Sequence, residues 1–230
     1  MTATERTARI VAISAGVTEP SSTRMLADRL AGKSIERLGG LGISATITTI
    51  ELAPIAAELA RAVTTGYPSE LLQQRMAELA TADAVIVATP VYKAGPSGLF
   101  KMFLDVLDDD VLIAKPVLLA ATAGSDRHSL VIDQQMRPLF AYLRALTLPT
   151  SMFAASNEWG TSDLGRRIDR AASELVAVVA SGVSAAITGR SWSAYRHDDS
   201  RATTTAAIES DGIDFDSPLM RLAAGGGIPQ

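Results

Sequence analysis

Three short stretches concentrate the hydroxyls, glycines and prolines from which ligand-binding turns are built. The first is Ser14-Ala15-Gly16-Val17-Thr18-Glu19-Pro20-Ser21-Ser22-Thr23, which follows an apolar run and leads straight into a helical pattern. Hydroxyls and free amides at a helix start cradle a phosphate without lysine or arginine, because the unpaired N–H groups and the helix dipole both favour an anion. An ordinary Ser/Thr cap would leave the same string, so the loop alone divides evenly between the two readings. Its place after the first strand shifts the balance toward phosphate. The spacing matches neither G-x-G-x-x-G nor G-x-x-x-x-G-K-[ST], which withdraws support from a dinucleotide or a nucleoside triphosphate and leaves a monophosphate.

The second stretch is Thr89-Pro90-Val91-Tyr92-Lys93-Ala94-Gly95-Pro96-Ser97-Gly98-Leu99-Phe100-Lys101. Its prolines and glycines constrain a turn whose backbone polar groups can face a flat heterocycle, with the Tyr92 ring at the border. The competing reading is a stiff surface loop, with Tyr92 a packing residue and Lys93 a solvated charge. The third stretch is Ala121-Thr122-Ala123-Gly124-Ser125-Asp126-Arg127-His128-Ser129. Arg127 would meet a nucleotide phosphate and His128 would orient a cofactor group, against helix-capping or surface roles for both.

Composition narrows the chemistry these turns can serve. The 230 residues contain no cysteine, which excludes thiolate nucleophiles, thiolate metal sites and disulfides, so redox chemistry needs a bound cofactor. With histidine only at 128 and 197, a histidine-rich metal centre is not expected. A net charge of −4 supplies no basic field for nucleic acid. The first apolar run is too short for a bilayer and residues 1–9 are polar, so no membrane segment or signal peptide is read and the cytoplasm is the expected location.

The elements that must hold the three turns follow from hydropathy. Arg9-Ile10-Val11-Ala12-Ile13-Ser14, Ala84-Val85-Ile86-Val87-Ala88-Thr89 and Pro116-Val117-Leu118-Leu119-Ala120-Ala121-Thr122 are near-continuous apolar runs, as strands covered on both faces are. Residues 43–50 alternate Ile43, Ala45 and Ile47 with Ser44, Thr46 and Thr48, as at a half-wet edge. Residues 148–154 contain Pro149, which also prefers an edge. Between them lie helical patterns: Ala27, Leu30, Ala31 and Leu38; Leu99, Phe103, Val106 and Leu107; and Ile168, Ala172, Leu175, Val176 and Val179. Residues 54–79 read as two short helices around Gly66-Tyr67-Pro68, and Pro138 kinks or begins a helix.

The expected fold is therefore α/β: a three-layer, doubly wound parallel sheet of five strands in the flavodoxin-like order 2-1-3-4-5. Residues 1–182 form the domain, and 183–230 an extension, largely irregular, anchored by Trp192 and Tyr195. Ligands of such sheets bind beyond the carboxyl ends of the strands, where strand order reverses, and all three turns stand there.

Two rival classes fit less well. Gly95-Pro96-Ser97-Gly98 suggests a serine nucleophile elbow, but its second glycine arrives one position early for G-x-S-x-G. A receiver-like signalling module needs an aspartate where this chain has Thr89-Pro90. A passive carrier of the same mononucleotide would use the same rim.

Ala88-Thr89-Pro90-Val91-Tyr92-Lys93-Ala94-Gly95 with Ser97-Gly98-Leu99-Phe100-Lys101 resembles the NADPH-dependent FMN reductase family. The third turn, with Leu139-Phe140-Ala141-Tyr142-Leu143-Arg144-Ala145-Leu146, looks like the actinobacterial branch paired with luciferase-like monooxygenases. The resemblance implies FMN, reduced by NADPH or NADH, and delivery of reduced flavin to a monooxygenase by a homodimer or homotetramer. It implies that Ser14, Ser22 and Thr23, with Ser21 beside them, hold the FMN phosphate. Pro90, Val91, Tyr92 and Lys93 would line the ring and ribityl chain together with Ser97, Gly98, Gly124 and Ser125. Arg127 and His128 are candidates for the nicotinamide nucleotide, and no side chain is assigned as a catalytic acid or base. Related flavoproteins reduce quinones or azo dyes with bound FMN, which is the alternative acceptor class.

Overall fold

Strands Ala8–Ser14 (β1), Ala84–Tyr92 (β3) and Pro116–Ala123 (β5) are buried along almost their whole length, as their unbroken apolar runs require. The computed structural model describes residues 7–192. Ala45–Glu51 (β2) pairs with β1 at one edge, and its alternating burial matches its period-two pattern. The order across the sheet is β2-β1-β3-β5 and then a fifth strand after residue 145, all parallel, which is the expected flavodoxin-like sheet.

Successive residues of each central strand feed opposite layers. Val11 and Ile13 pack with Val87, Phe100, Phe103 and Phe140, while Ile10 and Ala12 pack with Leu26, Leu30, Ile168 and Leu175. Helices Ser22–Gly40 (α1) and Ser162–Ser181 (α6) cover the second face. Ala56–Thr65 (α2), Glu70–Ala80 (α3), Gly98–Asp105 (α4) and Arg137–Tyr142 (α5) belong to the first. The connection around residues 66–68 is the expected helix pair, with Gly66 at φ 78° ending α2. Pro138 is the second residue of α5, and the turn before it, Ile132–Met136, is π-helical, so the helical ladder widens just ahead of the residue that lacks an N–H.

Four boundaries differ from the sequence expectation. Strand β3 does not stop at Thr89; it runs through Tyr92 and folds back as a two-residue strand, Gly95–Pro96 (β4), pairing Val91 with Pro96 and Tyr92 with Gly95. The fifth strand, expected over residues 148–154, is two pieces, Leu146–Thr147 (β6) and Met152–Ala155 (β7), both paired to β5. Pro149 falls in the gap. There the Arg137 guanidinium donates to Leu148 O (3.0 Å), Thr147 Oγ1 (3.0 Å) and Ser151 Oγ (2.7 Å), satisfying groups in the stretch where the ladder is interrupted. Helix α4 ends at Asp105, so Val106 and Leu107 pack from the turn beyond it.

The fourth difference lies after Gly182, where Val183–Ser191 forms a helix (α7) in a segment expected to be largely irregular. Trp192 closes it, with the Arg144 guanidinium 5.6 Å above its ring. Tyr195 and His197 fall outside the described residues, as does most of 183–230. Among the described residues no single helix is long and apolar enough to cross a membrane; α6 and α7 pass that test only as a pair bent by 46°, and α6 buries its apolar stripe in the core.

Candidate active site

Register brings the three turns together. Ser14 of β1 lies opposite Ala88 of β3, Ala88 opposite Ala120 of β5, and Pro90 opposite Thr122, so the chain leaves three adjacent strands at one rim. Strand order reverses there, with β1 and β3 side by side and their crossovers on opposite faces.

The first turn is tightly closed. Ser21 caps α1, its Oγ accepting from Arg24 N at 3.1 Å, and Ser14 Oγ accepts from Gly16 N at 3.4 Å. A Cβ built on Gly16 would lie 2.0 Å from Ser21 Oγ, so glycine is what lets the loop fold onto the helix start. Ser22 and Thr23 form the first turn of α1, where backbone amides have no intrahelical acceptor. Ser22 is exposed; Ser14 and Thr23 are buried. The cation beside them, Arg24, is taken by Asp28 (2.8 Å) and Glu51, which together hold its pKa above the usual value. An anion in this turn meets hydroxyls and amides, as expected of a site without a lysine or arginine.

The second turn is a β-hairpin. Lys93 (φ 51°) and Ala94 (φ 66°) both occupy the left-handed region, the geometry of a two-residue type I′ turn built without glycine. Such residues cost about 1–2 kcal/mol each, so the rest of the structure must hold them. Gln135 does so from the π-helical turn, its Nε2 donating to Ala94 O at 2.8 Å. Pro90 is buried, Val91 half-buried, and Tyr92 and Lys93 exposed at the tip. Ser97 is buried as the cap of α4, its Oγ accepting from Phe100 N (3.2 Å) and its own N–H donating to Thr89 Oγ1 (3.0 Å). The Ser97 hydroxyl is thus engaged as a helix cap beside Thr89 rather than presented at the tip of the turn. Gly98, the first residue of α4, is exposed.

The third turn joins the first through one contact that the sequence does not announce: Thr23 Oγ1 and Thr122 Oγ1 stand 2.7 Å apart, both buried. The one local signal for Thr122 is a hydroxyl at the end of an otherwise apolar run. Gln135 carries no comparable signal. Gly124 is exposed and Ser125 half-buried beyond β5. Arg127 and His128 follow in a short 3-10 turn, Asp126–His128, three residues beyond the end of β5, with Arg127 exposed and His128 half-buried.

A cavity of about 750 Å³ opens at the opposite, amino end of the strands, lined by Arg9, Asp83, Lys115, Val179 and Trp192 among others. Helices α3 and α6 end at its wall and α7 begins there, so both helix polarities meet at this cavity.

The order-reversal rim, the capped helix start and the hairpin define a flavodoxin-like nucleotide-binding domain. Residues 8–160 match the family model described as NADPH-dependent FMN reductase, and the chain belongs to that family. It is 40% identical over 149 residues to an NADH-dependent FMN reductase, SfnE, from Pseudomonas putida, covering 65% of this chain and 77% of that one. An FMN reductase (NADPH) from Pseudomonas aeruginosa is 40% identical over 152 residues, 66% of this chain and 78% of the relative. Among solved structures, an oxidoreductase from Corynebacterium diphtheriae superposes with a TM-score of 0.74 at 41% identity, over 76% of this chain and 98% of that one. An NADH:FMN oxidoreductase (EMOB) gives 0.67 at 27% identity, over 74% and 89%. FMN fits the residues present: the Gly16 cradle and the free amides of α1 suit its single phosphate, and the hairpin offers a backbone edge to its ring.

Proposed function

We propose that this protein is an NAD(P)H-dependent FMN reductase whose flavin occupies the carboxyl-end rim. The observation that carries this is the convergence of a capped, lysine-free helix start with the Tyr92–Gly95 hairpin at adjacent strand ends. Bound FMN supplies a ring that accepts hydride from reduced nicotinamide. The chain's own contribution is to bind and orient. Ser14, Ser21, Ser22 and Thr23 hold the phosphate end with the α1 amides, while Pro90, Val91, Tyr92, Lys93 and Gly98 border the ring and ribityl chain. Ser97 acts by capping α4 and fixing the hairpin's return strand. Gly124 and Ser125 close the third side, and Arg127 and His128 face the nicotinamide nucleotide. Holding two planar rings in contact and away from water supplies most of the advantage, so no acid or base side chain is required.

The finer reading is that reduced flavin passes to a monooxygenase, from a homodimeric or homotetrameric enzyme of the cytoplasm. An exposed Tyr92 at the rim of the site supports release to, or cover by, another protein. Steady-state oxidation of NADH and NADPH with FMN, FAD, riboflavin and a quinone, compared side by side, tests the assignment. FMN is expected to give the highest kcat/KM, and a quinone preference would overturn it.

A further inference from the structure

We infer that Thr122 is a positioning residue for the flavin phosphate, acting through Thr23. This rests on the phosphate site proposed above. The two hydroxyls lie 2.7 Å apart across 99 residues of sequence, one in the first turn of α1 and the other near the end of β5. Both residues are buried, so water does not compete freely for the pair. Two hydroxyls carry two protons, and the bond between them uses one.

The direction of that bond decides what Thr23 offers a ligand. If Thr23 donates to Thr122, its lone pairs face the turn and repel a phosphate oxygen. If Thr122 donates, the Thr23 proton is left over and is available to the anion. A bound phosphate therefore selects the chain in which Thr122 donates to Thr23 and Thr23 to phosphate, each bond polarising the next. Thr122 gains this role from β5, the central strand that also carries the third turn, so the same contact couples phosphate seating to the position of Gly124 and Ser125.

Riboflavin has the same ring and ribityl chain as FMN and no phosphate, which makes it the control. Equilibrium binding of FMN and riboflavin, by flavin fluorescence quenching, is compared in the wild type and in Thr122→Ser, Thr122→Val and Thr122→Ala. Thr122→Val keeps the shape and removes the donor; Thr122→Ala removes the donor without bulk. The expected result is that FMN binding weakens about tenfold in both, the scale of one hydrogen bond to a charged group, while riboflavin binding shifts less than about twofold. Thr122→Ser restores FMN binding to within about twofold. Equal losses for both flavins, no loss for FMN, or folded protein from Thr122→Ser alone would each make the hydroxyl structural and overturn the inference. A wild type that binds FMN but oxidises no NAD(P)H sinks the reductase assignment and leaves this inference standing; unaltered FMN binding in Thr122→Val does the reverse.

Discussion

The two ends of the sheet are built from the same strands and helices and have opposite chemistry. At the carboxyl end α1 and α4 begin, with Ser21 and Ser97 capping them and first-turn amides left over. At the amino end α3 and α6 finish. There Lys115, buried, donates to the carbonyls of Leu79 (2.9 Å), Ala80 (2.8 Å) and Ala82 (2.8 Å). One end thus welcomes an anion and the other has had to take in an amine. A hollow of about 750 Å³ lies at the amine's end, while the capped starts of α1 and α4 mark the other.

The contrast between the ends is broken most severely at Lys115. Replacing it by alanine takes the ammonium donor from the carbonyls of Leu79, Ala80 and Ala82, of which Leu79 O keeps the Ala82 amide, and the expected loss of folding stability is about 3 kcal/mol, measured by denaturant melts. Flavin binding at the far rim should keep its FMN-to-riboflavin ratio; a selective loss of FMN would mean the two ends are not separate. Gly16→Ala strikes the anion-binding end instead. The added Cβ collides with Ser21 Oγ and displaces the cap, so FMN affinity should fall about tenfold or more, with about 1 kcal/mol of stability lost with the cap.

The same lysine makes a pH prediction. Burial pushes its amine from 10.5 down to about 8, so between those values the unfolded chain holds a proton that the folded chain has lost. Stability then rises with pH across that window and falls back as pH drops through 8, by about 1 kcal/mol between pH 7 and 9. Melts of the wild type should show the rise and Lys115→Met should flatten it. A wild-type curve level across that range would mean the three carbonyls hold the proton on. The smallest effect is expected at the hairpin, where Ala94→Gly relieves a left-handed alanine and should raise stability by roughly 0.5–1 kcal/mol. If stability falls instead, the lost chain entropy outweighs the strain.

Much of this architecture is legible in the sequence. The apolar runs at Ile10, Val85 and Val117 announce central parallel strands because burial on both faces leaves no room for alternation. The edge over residues 43–50 betrays itself by its period of two, although pairing with β1 begins only at Ala45. Pro149 marks a strand that cannot be central, yet its stronger effect, splitting the fifth strand, depends on Arg137 arriving from α5 to satisfy the gap. The hairpin at Lys93 and Ala94 is hidden for a different reason. Without Asn-Gly or Gly-Gly nothing local demands positive φ, and the turn is held by Gln135 from another element. Helix α7 lacks an apolar stripe of the kind that reveals α1 and α6, and so reads as irregular.

What the sequence determined by itself was periodic: which segments are strands or helices, their order, and hence the rim at which a ligand must sit. Those follow from burial patterns and turn residues that act over a few positions. Only the tertiary structure decided which side chains meet across that rim, Thr23 with Thr122 and Gln135 with the hairpin, because contacts over 99 and 41 residues leave no local trace. Side chains placed there are chosen by packing and hydrogen-bond geometry in three dimensions, where neighbours along the chain exert no preference.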